Sequence, residues 1–183
     1  MDKRIKIILI SVIVILAILC GIFLIYKNYQ YGKEMYCSVI DVKYRCVVLS
    51  SGIKTMQEIF QDPNIDPEGI EVDSFDRVLT ATRIIIGYED MALEDDVRHA
   101  YVERCLDMQL HYFSPGHNNT LLAESFTDPE KAADVEAFKN DIENLEAGLN
   151  DFANRYNEMS FLERCFTSWS HEREELSDKV RLP

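Results

Sequence analysis

IILISVIVILAILCGIFLI, residues 7–25, contains no charged side chain, and only Ser11 and Gly21 interrupt it with polar or small character. At about 1.5 Å per residue this run makes about 28 Å of helix, enough to cross the hydrocarbon core of a bilayer. Lys6 and Lys27 bound it, and Tyr26, Tyr29, Tyr31 and Tyr36 follow where an interfacial aromatic belt lies. The reading is a single uncleaved anchor over 7–26, behind a short basic tail, 1–6. A cleaved signal peptide has a shorter apolar core and small residues before the cut. Here the run continues to Ile25, and no such site follows in 26–35. A lipoprotein signal at Cys20 is disfavoured by bulky Leu19 and by the apolar residues beyond the cysteine. A buried core helix is disfavoured by the length of the charge-free run.

Orientation and charge follow from the flanks. The amino group with Lys3, Arg4 and Lys6 outweighs Asp2, so the positive-inside rule keeps the tail cytoplasmic and places the rest outside the cytoplasm. Lys27, Lys33, Lys43 and Arg45 beyond the anchor reduce that asymmetry. The formal charge of the 183 residues is -13. The tail takes three bases and one acid, which leaves 16 bases against 31 acids, a net -15 for the remainder. Residues 27–183 suffice for one domain with a real core. A domain so acidic repels phosphate backbones and anionic headgroups, which argues against nucleic acid and towards protein or cation contacts.

Five cysteines carry no redox or zinc signature, because no C-x-x-C pair exists. Cys20 lies in the anchor. Cys37 and Cys46 stand nine apart, about 13 Å along one helix, too far for a mutual disulfide. Cys105 and Cys165 fall at apolar-periodic positions, where thiols behave as small hydrophobes. A Cys105–Cys165 bridge is the alternative in an extracytoplasmic domain, and the sequence leaves it open.

Beyond the anchor the pattern is helical. Met35, Val39, Val42, Cys46, Leu49, Ile53, Met56 and Phe60 alternate spacings of four and three, a heptad seam about 39 Å long. Tyr36, Ile40 and Val47 widen the stripe as a bundle core requires, and Gly52 marks a bend or a close approach. Pro63 ends this helix and opens a loop through Gly69. Asp73 or Ser74 caps a second helix with Phe75, Val78, Leu79, Thr82, Ile85 and Ile86 inward. A third stretch, 91–113, turns Leu93, Val97, Ala100, Tyr101, Cys105, Met108 and Tyr112 inward. It is either separate from the second or continuous with it through Gly87. Ser114, Pro115 and Gly116 through Asn119 read as a turn.

Asp128 with Pro129 is a strong helix start. From it Val135, Phe138, Ile142, Leu145, Leu149, Phe152, Tyr156 and Met159 form a second seam of nearly the same length, and two such stripes suit antiparallel partners. Ser160 with Glu163 opens a last helix with Leu162, Phe166 and Trp169 on its apolar side. The charged end, 171–183, reads as frayed. The fold class is therefore all-α: one transmembrane helix, then an antiparallel bundle of about four long helices.

Two motifs resemble the LemA family. Ile40-Asp41-Val42 with Lys43 and Arg45 is similar to its I-D-V-Q-L-K-R-R segment beyond the membrane anchor. Glu146-x-x-Leu149 followed by Tyr156-Asn157-Glu158 is similar to its E-N-R-I … Y-N-E/D stretch. Leu49-Ser50-Ser51-Gly52-Ile53 replaces its L-I-P-N-L, Ala153-Asn154-Arg155 shifts its A-R-R, and its second Y-N is missing. The likeness covers about 45 residues and implies a bacterial membrane-anchored bundle with no catalytic residues to carry over.

Candidate chemistry is sparse. Asp96-x-x-His99 resembles one half of a carboxylate-bridged metal site, but no second half exists at His111, His117 or His171. Asp107 shares a helix face with Glu103 and with His111, as solvated pairs commonly do. The acids from Glu89 to Asp96 lack the spacing of a calcium loop and suit a helix start. Asn118-Asn119-Thr120 matches a glycosylation sequon. Tyr44, Tyr101, Tyr112 and Met108 are candidates to line a pocket between helices, or plain core. No catalytic, metal or cofactor-binding residue is assigned. The sequence points to a non-enzymatic, membrane-anchored module that scaffolds or regulates a membrane protein and admits homo-oligomers. A ligand or stress sensor with a pocket inside the bundle is the alternative.

Overall fold

In a computed structural model, which describes residues 3–62, 64, 73–88, 91–113 and 119–182, every element is helical and no strand occurs among the described residues. Helix α1 (Lys3–Gln61) is one unbroken rod of 59 residues, about 88 Å at 1.5 Å per residue. Anchor and first seam, between which the sequence shows no obvious break, are two halves of the same helix. Within it lies the one helix among the described residues that is long and apolar enough to cross a membrane. Its best 18-residue window has mean hydropathy 3.4, and none of it is buried inside the molecule. The helix passes through Gly32 and Gly52 without a break and stops at Gln61, before Pro63.

The seam closes on helix α5 (Pro129–Glu158). Met35, Val39, Val42, Cys46, Leu49 and Ile53 are buried, and so are Val135, Phe138, Ile142, Leu145, Leu149, Phe152 and Tyr156. The rods run antiparallel. Tyr36 stacks on Tyr156 with ring centroids 4.3 Å apart. Lys43 Nζ donates to Asn150 Oδ1 at 2.6 Å, and Gln57 Nε2 donates to Glu136 Oε2 at 2.8 Å. Asp128 caps α5 by accepting from the amides of Glu130 and Lys131, with Pro129 opening the helix. Tyr36 and Ile40 are half-buried on the core's flank, whereas Val47 faces solvent rather than widening the stripe.

Helices α2 (Asp73–Tyr88) and α3 (Asp95–Met108) complete the bundle. They are two helices, separated by a turn at 91–93. Leu79, Thr82 and Ile86 from α2 and Val97, Tyr101, Cys105 and Met108 from α3 are buried, with Leu93 buried in the turn. Phe75, Val78 and Ile85, and the capping side chains of Asp73 and Ser74, lie outside the described side chains. Arg83 donates to Gln109 Oε1 at 2.7 Å, and Gln109 Nε2 donates to Thr80 Oγ1 at 2.9 Å, which fixes α2 against the end of α3. Residues Gln109–Phe113 then widen into a π-helical turn. It swings Phe113 onto Phe126, which stacks on Phe60, so three rings close the end of the bundle farthest from the apolar run.

Several sequence readings are corrected. Asn119 is not in a turn but opens a short helix, α4 (Asn119–Thr127), which carries Phe126 into the core. The last helix is two: α6 (Phe161–Phe166) and α7 (Trp169–Val180). Ser160 and Glu163 do form the capping box, but Leu162 and Phe166 are exposed and only Trp169 is buried. The charged C-terminus is not frayed through Val180. Leu176, Ser177 and Val180 are buried, because Gly148 of α5 leaves room for Val180 against the rod. The expected loop 63–69, apart from Asn64, and the turn 114–118 lie outside the described residues.

Candidate functional site

The side chains singled out from the sequence do not converge. His99 is exposed, with Nδ1 3.2 Å from the carbonyl oxygen of Asp95 in its own helix. Asp96 turns instead to Arg181 across the molecule. That hydrogen bond, helped by the Val97 amide, holds its carboxyl below the ordinary carboxylate range. His111 Nδ1 lies 2.9 Å from Asp107 Oδ1 on an exposed face. Glu103 is exposed on the same helix, and Glu89, His117 and Asn118 lie outside the described residues. No three His, Cys, Asp or Glu side chains gather to hold a metal among the described residues.

The tyrosine pocket does not form. Tyr44 points to solvent, Tyr101 is fully buried, and Tyr112 is half-buried with its hydroxyl donating to Asp134 Oδ2 at 2.6 Å. That bond, more than burial, pushes the Tyr112 hydroxyl up to about 12. Cys105 and Cys165 are both free and buried, so the bridge between them is not made. Cys105 faces Cys46 in the bundle interior instead. Burial pushes the Cys105 thiol up to about 12, and burial reinforced by the neighbouring Cys105 and Glu146 pushes Cys46 higher still.

One concave surface among the described residues was missed by the sequence reading. A groove of about 660 Å³ runs between α5 and the chain's last residues, with Asp141, Asn144, Asp151 and Asn154 on one wall and Lys179 and Arg181 on the other. It exists because α7 is clamped beside α5. Lys179 Nζ donates to Asp151 at 2.8 Å, and Arg155 reaches Glu172 at 3.0 Å. Tyr101 Oη donates to the Val180 carbonyl at 2.7 Å from beneath the groove. Arg173 donates to the Leu93 carbonyl at 3.0 Å, and the Glu94 amide donates to Ser177 Oγ at 2.7 Å, which ties α7 to the start of α3. The only sequence signal for this groove is a row of amides and acids along the flank of α5. Such a row reads equally well as a solvated face.

Just beyond the apolar run, α1 receives α6 and α7 on a small residue. A Cβ on Gly32 would lie 2.1 Å from Trp169 Cε2, so only glycine admits the indole here. Trp169 Nε1 donates to the Arg164 carbonyl at 3.2 Å, and its ring lies 5.5 Å from that of Tyr156. Asn28 Nδ2 donates to the carbonyls of Cys165 at 2.9 Å and Thr167 at 3.0 Å. The bundle is thereby fastened to α1 within two turns of the end of the apolar run at Ile25.

Family models, curated proteins and solved structures all returned no match to this chain.

Proposed function

We propose that this chain is a non-enzymatic membrane-anchored bundle, LemA-like in layout, that scaffolds or regulates a membrane protein. The observation that carries the reading is the unbroken α1, which makes the membrane span and the central rod of the bundle one rigid body. A flexible linker would let the domain sample a wide volume. A continuous helix holds the α5–α7 groove at a set height above the bilayer, as contact with a neighbouring membrane protein requires. In this reading the basic tail is cytoplasmic and the acidic bundle lies on the other side. The LemA likeness supports the layout through Val42, buried in the seam, and Tyr156, stacked on Tyr36.

Photo-crosslinking residues at Asn144 and Asn154 in cells test it. A reproducible membrane-protein adduct from the groove, absent from a probe at Glu58 on the exposed flank of α1, is the expected result. Equal or no adducts from all three positions would overturn it. The sensor reading is favoured only by the size of the groove, and a ligand-dependent rise in melting temperature would support it.

A further inference from the structure

Helix α6 buries Cys165 but leaves its three large apolar side chains uncovered. Phe161, Leu162 and Phe166 are 64%, 66% and 69% exposed, as open as Leu24 of the membrane span at 66%. At about 100° per residue, Phe161, Cys165, Leu162 and Phe166 occupy an arc of about 140°, with Glu163 and Arg164 on the remainder. The polar pair is engaged elsewhere. Glu163 closes the capping box with Ser160, and the Arg164 guanidinium lies 4.4 Å from the Tyr156 ring centroid.

Its position is fixed by Asn28, by Tyr29 against Phe161 at 5.2 Å between ring centroids, and by Trp169 on Gly32. These contacts lay α6 beside residues 22–29 of α1, the end of the span and the first turn beyond it. Between them runs a furrow of about 410 Å³ with purely apolar walls, Ile22, Ile25 and Tyr26 on one side and Leu162 and Phe166 on the other.

We propose that α6 is a second membrane contact, a foot that sits in the same leaflet α1 leaves, with lipid acyl chains filling the furrow. The occupant follows from continuity. Ile22 and Ile25 belong to the apolar run long enough to cross a membrane, and Leu162 and Phe166 extend its surface across the furrow without a polar break. Water in the furrow would meet no polar partner at membrane depth. A short helix presenting Phe and Leu on one side suits the acyl–headgroup boundary. The foot limits the tilt of α1, so the bundle and its groove keep one attitude to the bilayer.

The test uses the full-length chain in phosphatidylcholine vesicles, with Cys20→Ala and Cys37→Ser as background. Nitroxide labels are placed singly at Leu162→Cys, Phe166→Cys, Leu16→Cys in the span and Glu143→Cys on the bundle. Labels at 162 and 166 are expected to collide several-fold more with oxygen than with a water-soluble nickel chelate, as at 16, and the ratio reverses at 143. Nickel access at 162 and 166 equal to that at 143 puts the foot in water and overturns the proposal. Low collision with both reagents means that a second copy of the chain covers the face, which overturns it as well. The proposal rests on α1 spanning the bilayer, and nickel access at 16 would reveal that separate failure.

Discussion

Gly32 and Gly148 show how one missing methyl group decides where a helix docks. Replacing either by alanine gains about 1 kcal/mol of helix propensity, so the sign of the change depends on the clash. At Gly32 the obstacle is the indole of Trp169, locked by Tyr156 and by its bond to the Arg164 carbonyl. Overpacking there costs about 1–3 kcal/mol, and Gly32→Ala is expected to lower the melting temperature and red-shift the emission of the chain's single tryptophan. At Gly148 the obstacle is the buried, β-branched side chain of Val180, whose Cγ1 would lie 2.2 Å from the added Cβ, so Gly148→Ala is expected to lower the melting temperature as well and to loosen the last turn of α7. A melting temperature at or above the parent's in either variant would contradict this account. The buried thiols make a second residue-scale claim. Cys46 and Cys105 keep their protons in the folded state to higher pH than in the unfolded chain. Their contribution is therefore complete below the unfolded thiol value near 8.5 and is lost as pH rises above it. At pH 10 each thiol costs roughly 2 kcal/mol relative to pH 7. Melting curves at pH 7.5 and 10 should show a marked loss that shrinks in Cys46→Ala/Cys105→Ala, and a loss of the same size in both proteins would refute it.

Helix α7 owes its place to interactions that no run of residues announces. Tyr101 Oη donates to the Val180 carbonyl from inside the bundle, and Tyr101→Phe leaves that carbonyl without the hydroxyl at a cost of about 1–3 kcal/mol. Carboxypeptidase digestion is the sensitive readout. The variant's last turn should be trimmed faster while the α1–α5 seam stays protected in hydrogen exchange, and an unchanged trimming rate would count against the bond's role. The same contrast explains what could be read in advance. Both seams were legible because burial of Met35 through Ile53 and of Val135 through Tyr156 follows from helical period alone. Asp128–Pro129 and Ser160–Glu163 were legible because a cap is a local hydrogen-bond pattern. The break between α6 and α7 was not, since Thr167 and Ser168 are neither proline nor glycine. The chain turns there because Trp169 has to reach Gly32, more than a hundred residues away in sequence. Helix α4 was hidden by its nine residues, too few for a period, and by the Pro-Gly-Asn cluster just before it. The groove was equally illegible: its walls meet only after α7 has folded back on α5.

As a whole, the molecule is a rod that starts in a run apolar and long enough to cross a membrane and ends as the centre of a bundle, and the proposed function depends on which side of the membrane that bundle occupies. The sequence could offer only the excess of positive charge in the first six residues against an acidic remainder. The structure supplies a cleaner reporter. Of the five cysteines, Cys46, Cys105 and Cys165 are buried, and Cys20 lies within the span. Cys37 is exposed, about 18 Å beyond Ile25 at 1.5 Å per residue, and so stands clear of the headgroups. Cys46 and Cys105 are further silenced by protonation: at about 12, the Cys105 thiol supplies roughly a thousandfold less thiolate than an ordinary cysteine at pH 8. A membrane-impermeant maleimide applied to intact cells therefore reports one residue. With the bundle outside the cytoplasm, the full-length chain is labelled once before permeabilisation, Cys37→Ser abolishes the signal, and permeabilisation adds nothing. If label enters only after permeabilisation, the bundle is cytoplasmic and the positive tail lies outside. The partners sought by crosslinking would then have to present their contacts to the cytoplasm.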